Sequence, residues 1–250
     1  MLRRSLLGTV LATAAAASGG ARAEDLADQV DVLLVLAIDA SGSLSDERLT
    51  LQREGHARAV ESVAFLDAVA AGHHSRVALT ALEWSNSDRQ DQAVPWTAIE
   101  DAPSARAFGS ALLRAPRPIP GFTSISGAID VSSRLLARAP YVAARRVIDI
   151  SGNGQNNDGR SPYAARDDAL VQGVTINGLP ILDTVGELDA YYAENVIGGP
   201  GAFMVVARDM GSFAQAILKK LVTEIATAPA MKAKEARSAT TARLQMPRWS

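Results

Sequence analysis

The sequence predicts an α/β fold: a three-layer, doubly wound, mostly parallel sheet with helices on both faces. Two observations carry this. Short apolar runs alternate with longer stretches of helical periodicity, the rhythm of repeated βαβ units. Residues 30–38 are apolar throughout except for Asp31, as expected of a strand covered on both faces.

The elements follow in order. After the strand at 30–38, residues 45–71 read as a helix, with Ser45 as N-cap and Glu47 in the first turn. Residues 76–84 form the second strand. Residues 92–99 form a third, placed at an edge because Pro95 cannot donate to a ladder. Residues 104–113 are helical, and a loop containing Pro116, Pro118 and Pro120 leads into a helix at 126–139. The strand at 146–150 ends in the Gly- and Asn-rich loop SGNGQNNDG. A helix at 162–172, a strand at 174–182, a helix at 187–195, a strand at 202–207 and a helix at 209–228 complete one domain spanning 28–228. Gly198-Gly199-Pro200-Gly201 is a tight connection into the last strand; no G-K-[ST] follows, so it is not a phosphate loop.

The two ends stand apart from this domain. Arg3 and Arg4, an apolar run from Leu6 to Ala17 and an Ala21-Arg22-Ala23 site make residues 1–23 a secretory signal peptide. Cleavage is expected before Glu24, which places the protein in the periplasm or outside the cell. The apolar run is shorter than the ~20 residues of a spanning helix, so no transmembrane segment is expected. Arg3-Arg4 followed by Ser-Leu-Leu loosely resembles a twin-arginine signal. Residues 229–250 are polar, aperiodic and basic, and read as a disordered tail.

Charge and composition exclude several functions. Loss of the signal peptide takes the net charge from −2 to −5, and the body at 24–228, without the basic tail, carries −9. So acidic a body does not suit nucleic acid, whose binding rests on Lys and Arg neutralising phosphates. The absence of cysteine rules out thiol chemistry and disulfides, and leaves stability to the core. His73 and His74 are adjacent in a turn and His56 lies on a helix face without H-E-x-x-H spacing, so no zinc site is expected.

The chemistry concentrates where strands end. In a doubly wound sheet, ligands bind beyond the carboxyl ends of the strands. Asp39 ends the first strand, and Ser41 and Ser43 follow at alternate positions, which face one side of an extended turn. Gly42 lets the backbone bend between them. Thr123 stands before the helix at 126–139, and Asn153 in the loop after the strand at 146–150. If these loops converge, they offer only oxygen donors, which suit a small hard cation such as Mg²⁺. Simpler readings stand beside this one. DASGS can be a plain strand-to-helix turn, Thr123 an N-cap, and 152–159 a flexible connection. Asp149, inside an apolar strand, calls for a structural partner.

DASGS at 39–43, Thr123 in GFTSISGAI and the strand-loop VIDISGNG at 147–154 resemble a von Willebrand factor type A domain. IDISGNGQNNDG and VIGGPGAFMVVA are similar to an exported bacterial branch of that superfamily whose function is uncharacterised. The resemblance implies a Rossmann-like fold over nearly all of 28–228 and a metal-ion-dependent adhesion site. By that match, Asp39, Ser41, Ser43 and Thr123 are metal ligands, and the fifth position falls on Asn153, where the family has Asp. Asp149 and Asp158 are close enough in sequence to compensate for the missing charge.

The expected function is therefore a non-enzymatic module that binds a protein or peptide. In the family an acidic side chain of the partner completes the coordination of Mg²⁺, and Mn²⁺ or Ca²⁺ are alternatives. A metal-independent scaffold in which Asn153 marks a degenerate site is the second reading. A metal-dependent hydrolase is the third, and it suffers from a single well-placed carboxylate and the lack of a general base.

Overall fold

In the computed structural model, which describes residues 28–183 and 186–226, β1 (Val32–Asp39) is the central strand. It is flanked by β2 (Val77–Trp84) on one side and β4 (Arg145–Gly152) on the other, both parallel to it. β5 (Val174–Pro180) runs parallel outside β4, and β3 (Gln90–Ile99) lies antiparallel outside β2. The order β3-β2-β1-β4-β5 is the doubly wound architecture expected. The signal peptide expected at 1–23 and the tail expected at 229–250 lie outside the described residues.

Strand alternation divides the core. Val32, Leu34, Leu36 and Ile38 pack on one face of the sheet with Leu49, Phe65, Phe108, Phe213 and Leu221. These come from α1 (Asp46–Glu61), α2 (Val63–Ala70), α3 (Ala102–Arg114) and α7 (Met210–Ala226). Leu33, Val35 and Ala37 pack on the other face with Ile125, Ala165 and Tyr192. Those belong to α4 (Ile125–Ala137), α5 (Pro162–Val171) and α6 (Leu188–Asn195).

Two expectations are corrected. The helix expected over 45–71 is broken at Ser62, whose backbone is extended (φ −69°, ψ 146°). Its hydroxyl donates to the Ala59 carbonyl (2.7 Å) and accepts from the Phe65 amide (3.2 Å), so one side chain closes α1 and caps α2. The strand expected at 202–207 is reduced to isolated bridges, Gly178 with Met204 and Ile181 with Ala207. The Phe203 amide donates instead to Asn177 Oδ1 (2.8 Å), and Gly199 and Gly201 adopt positive φ just upstream. A side chain has thus taken a bond that a ladder needs. β3 keeps its edge position, and Pro95 sits where its pairing with β2 slips, between Leu79 opposite Thr97 and Ala81 opposite Val94.

Charged groups are stored inside. Asp149, in the middle of β4, forms an ion pair with Lys220 of α7, both side chains being almost fully buried. One turn on, Glu224 pairs with Arg145 (2.9 Å) and accepts from Asn177 Nδ2. His56, buried on α1 with Nδ1 2.8 Å from the Gln52 carbonyl, stacks obliquely on Phe213. Burial lowers its pKa and favours the neutral ring. On the β2 side, Arg53 holds Glu83 through two bonds (2.6 and 2.7 Å) and also donates to the carbonyls of Ala115 and Pro116. That ties the proline-rich loop to the sheet.

Removing one partner of a buried pair leaves an uncompensated charge, whereas removing both is often tolerated. Lys220→Met is expected to lower stability by about 3–5 kcal/mol, and Asp149→Leu combined with Lys220→Met to recover most of the loss. Urea unfolding of the three proteins checks this, and equal losses in the single and double variants would contradict it.

Candidate functional site

The strand order reverses between β1 and β4, and this switch point is where a doubly wound sheet opens a crevice. Asp39 ends β1 there, and Asn153 follows β4. Asp39 is fully buried. Its Oδ1 accepts from the Ser41 amide (2.8 Å), its Oδ2 from the Asn153 amide (3.3 Å), and its carbonyl from Gln52 Nε2 (3.1 Å). One carboxylate therefore joins the two strand tips.

The serines complete the cluster. Ser41 Oγ and Ser43 Oγ lie 3.2 Å apart, and Ser43 Oγ donates to Asn153 Oδ1 (3.0 Å). The Gly42 amide between them donates to the Gly121 carbonyl (2.7 Å), which brings in the loop carrying Thr123. A Cβ at Gly42 would stand 3.1 Å from that carbonyl oxygen, hence glycine there. Thr123 borders Gly154, where an added Cβ would lie 3.6 Å from Thr123 Oγ1. Ser43, Thr123, Asn153 and the following residues up to Asn157 line an open cleft of about 400 Å³. The loops carrying all five residues singled out in the sequence thus converge at one end of the sheet: Ser43, Thr123 and Asn153 line the cleft, and Asp39 and Ser41 are buried beside it. Thr123 is not the N-cap, however: Ser124 accepts from the Gly127 amide (3.2 Å) and fills that role, which leaves the Thr123 hydroxyl for the cleft.

The spacing fits a small cation. An octahedral ion with oxygens at about 2.1 Å requires neighbouring donors about 3.0 Å apart. The two oxygen pairs, hydrogen-bonded to each other at 3.2 and 3.0 Å, already stand near that separation. Charge is the weak point. Asp149 is committed to Lys220 and the Asp158 carboxylate accepts from the Ser87 amide (2.6 Å), so neither replaces the charge missing at Asn153. Among the described residues no group of three or more His, Cys, Asp or Glu side chains is arranged to hold a metal. Any ion here depends on one carboxylate with hydroxyl and amide oxygens. His56 is turned to the Gln52 carbonyl, and His74 lies in the turn before β2, where its amide binds Asp31. Neither is placed to activate Ser41 or Ser43.

Two supporting residues carry no sequence signal. Gln52 looks like any polar position of α1. Tyr192 is fully buried beneath the site: a Cβ at Gly152 would fall 2.8 Å from its hydroxyl, 3.1 Å from Asp39 Oδ2 and 3.3 Å from Trp84. Only glycine fits between them. Trp84 is buried and Trp96 partly so; the exposed apolar side chains on the loop that leads to Thr123 are Ile119 (65 %) and Phe122 (64 %).

The five-stranded sheet with this Asp-Ser-Ser-Asn cluster at its switch point has the fold of von Willebrand factor type A domains. The chain belongs to the family described as "Protein of unknown function (DUF1194)", whose model matches residues 29–229. Among solved structures, the pilus adhesin SpaC of Lactobacillus rhamnosus GG is similar at 14 % identity and a TM-score of 0.59, over 79 % of this chain and 31 % of that one. A von Willebrand factor type A protein from Catenulispora acidiphila aligns at 15 % identity and TM-score 0.56, over 78 % and 43 %. Proximal thread matrix protein 1 of the mussel byssus, with a zinc-occupied MIDAS motif, aligns at 14 % and 0.54, over 79 % and 46 %. The chain spans less than half the length of each of these, and at such identities the likeness shows the fold alone. No curated protein matches the sequence.

Burial raises the Asp39 pKa from 3.8 to about 6, against the opposing hydrogen bonds from Ser41 and Asn153. Between these values the folded protein binds more protons than the unfolded chain, so stability falls as pH rises from about 4 to 6. Without a cation, the ionised Asp39 costs on the order of 2–3 kcal/mol at pH 7. Asp39→Asn keeps one acceptor oxygen and loses the other bond, so the pH dependence is the informative quantity: between pH 4 and 7.5 the metal-free wild type is expected to lose more stability than the variant, by that order. Denaturant midpoints at the two pH values test this; equal losses in the two proteins would contradict it.

Proposed function

We propose that this chain is an exported, non-enzymatic protein-binding module. It holds a divalent cation, Mg²⁺ before Mn²⁺ or Ca²⁺, through Asp39, Ser41, Ser43, Thr123 and Asn153. The carrying observation is the convergence of the buried Asp39 carboxylate with the Ser41, Ser43 and Asn153 groups at one strand tip, their oxygens hydrogen-bonded at separations that neighbouring ligands of such an ion can share. Supporting it, Asp39 is a buried carboxyl group whose hydrogen-bond donors are the neutral amides of Ser41 and Asn153, so that its ionisation carries a cost that a cation would offset. The bound ion supplies a Lewis-acidic position open to an acidic side chain of the partner. Phe122, exposed next to Thr123, and Ile119, exposed on the same loop, which Arg53, Ser85 and Asn86 tie down, add apolar contact area. SpaC is a pilus adhesin and proximal thread matrix protein 1 carries zinc in its MIDAS motif; a binding role here agrees with both. Export rests on the character of residues 1–23, and no helix among the described residues is long and apolar enough to cross a membrane.

One observation favours the second reading, a metal-independent scaffold: the cluster has a single carboxylate. Calorimetric titration of Mg²⁺ and Mn²⁺ separates the two. Saturable binding by the wild type, abolished in Asp39→Ala and strengthened roughly tenfold or more in Asn153→Asp through the added charge, is expected. Binding by Asn153→Asp alone would favour the scaffold, and the interaction surface would then lie elsewhere.

A further inference from the structure

The Thr123 corner of the site is held from outside its own loop. The Thr123 amide donates to Asn157 Oδ1 (2.8 Å), and the Asn157 amide donates back to the Thr123 carbonyl (2.9 Å). Next to it, Asn156 Oδ1 accepts from the Ser126 amide (3.0 Å), while Asn156 Nδ2 donates to the carbonyls of Asp158 (3.0 Å) and Arg160 (3.2 Å). The Asn156 amide in turn donates to the Tyr191 hydroxyl of α6 (3.2 Å). Thr123 precedes the helix cap, so its N–H has no helical acceptor; the side chain of Asn157 supplies one. The turn-rich stretch after β4 is therefore a template on which the threonine loop is built.

We infer that Asn156 and Asn157 are positioning residues that set the Thr123 hydroxyl for the cation, with Tyr191 anchoring them to α6; this rests on the cation-site reading above. The two amides have different requirements. Asn157 serves through its carbonyl oxygen alone, which aspartate also provides, whereas Asn156 uses both its oxygen and its nitrogen, which aspartate cannot replace. Because a ligand oxygen must sit within about 0.2 Å of its proper distance, release of the Thr123 backbone removes one corner of the site. Loss of an outer-shell partner of this kind weakens metal binding roughly 10- to 100-fold. Asn157 is exposed, so the fold does not rest on it.

Three variants test this in the full chain, each first checked for an unchanged circular dichroism spectrum and melting temperature. Amide hydrogen exchange of Thr123, measured by NMR without metal, reads the clamp; Mn²⁺ titration reads its consequence. Asn157→Ala is expected to speed Thr123 exchange and weaken Mn²⁺ binding roughly 10- to 100-fold. Asn157→Asp should retain both properties. Asn156→Asp should lose them, although it adds the same charge at the neighbouring position. Unchanged Thr123 exchange in Asn157→Ala, or faster exchange with unaltered Mn²⁺ affinity, would overturn the inference. Equal behaviour of the two aspartate variants would do so too, since charge and not geometry would then be acting. If neither the wild type nor Asn153→Asp binds Mn²⁺, the cation-site reading fails instead, and the exchange rates decide the clamp by themselves.

Discussion

The rest of the site depends on one buried carboxylate. Asp39 bonds forward to Ser41 in its own loop and across to the Asn153 amide beyond the next strand. These two contacts fix the tips of β1 and β4 relative to each other, and Ser43 adds a third through Asn153. Gln52 holds the carbonyl of the same residue from α1. Tyr192 and Trp84 close the space beneath, so tightly that position 152 admits only glycine. A dry carboxylate is costly unless matched by positive charge, and the two backbone amides that bond to it offset only part of that cost.

That mismatch distinguishes Asp39 from the protein's other buried charges. Asp149 has Lys220, Glu83 has Arg53 through two bonds, and Glu224 has Arg145. Each pair joins elements that must be held together: β4 to α7, β2 to α1, and the start of β4 to the end of α7. Asp39 alone among these four acids sits at the cleft end of its strand with only neutral hydrogen-bond donors around it. Its charge is met by hydrogen bonds and not by a neighbouring cation.

Much of this was legible in the sequence because it rests on patterns of short range. Apolar runs gave the strands, and the abrupt change from Ile38 to Asp39 marked the strand tip. Alternate serines gave the direction of the cluster, and Pro95 gave the edge. What escaped detection depends on tertiary bonds. Ser62 breaks a helix because its hydroxyl satisfies groups on both sides, and nothing in the spacing separates it from a tolerated helical serine. Asn177 diverts the Phe203 amide across 26 residues and so dissolves an expected strand. The family pattern pointed to Asn153, but it took the structure to show that Asp149 and Asp158 are engaged elsewhere. Asn156 and Asn157 looked like turn residues, since the amides they hold, those of Ser126 and Thr123, lie 30 and 34 residues away.

Anomalous diffraction from crystals soaked in millimolar Mn²⁺ addresses the proposed site most directly. The cation-site reading predicts a single strong peak at the β1 tip, with Ser41, Ser43 and Thr123 hydroxyl oxygens about 2.2 Å away and Asp39 bound directly or through water. Crystals of Asp39→Ala should lack the peak. A wild-type map with no density at this position, while the oxygens keep their present spacing, would contradict the reading and leave the cluster as a structural joint between β1 and β4.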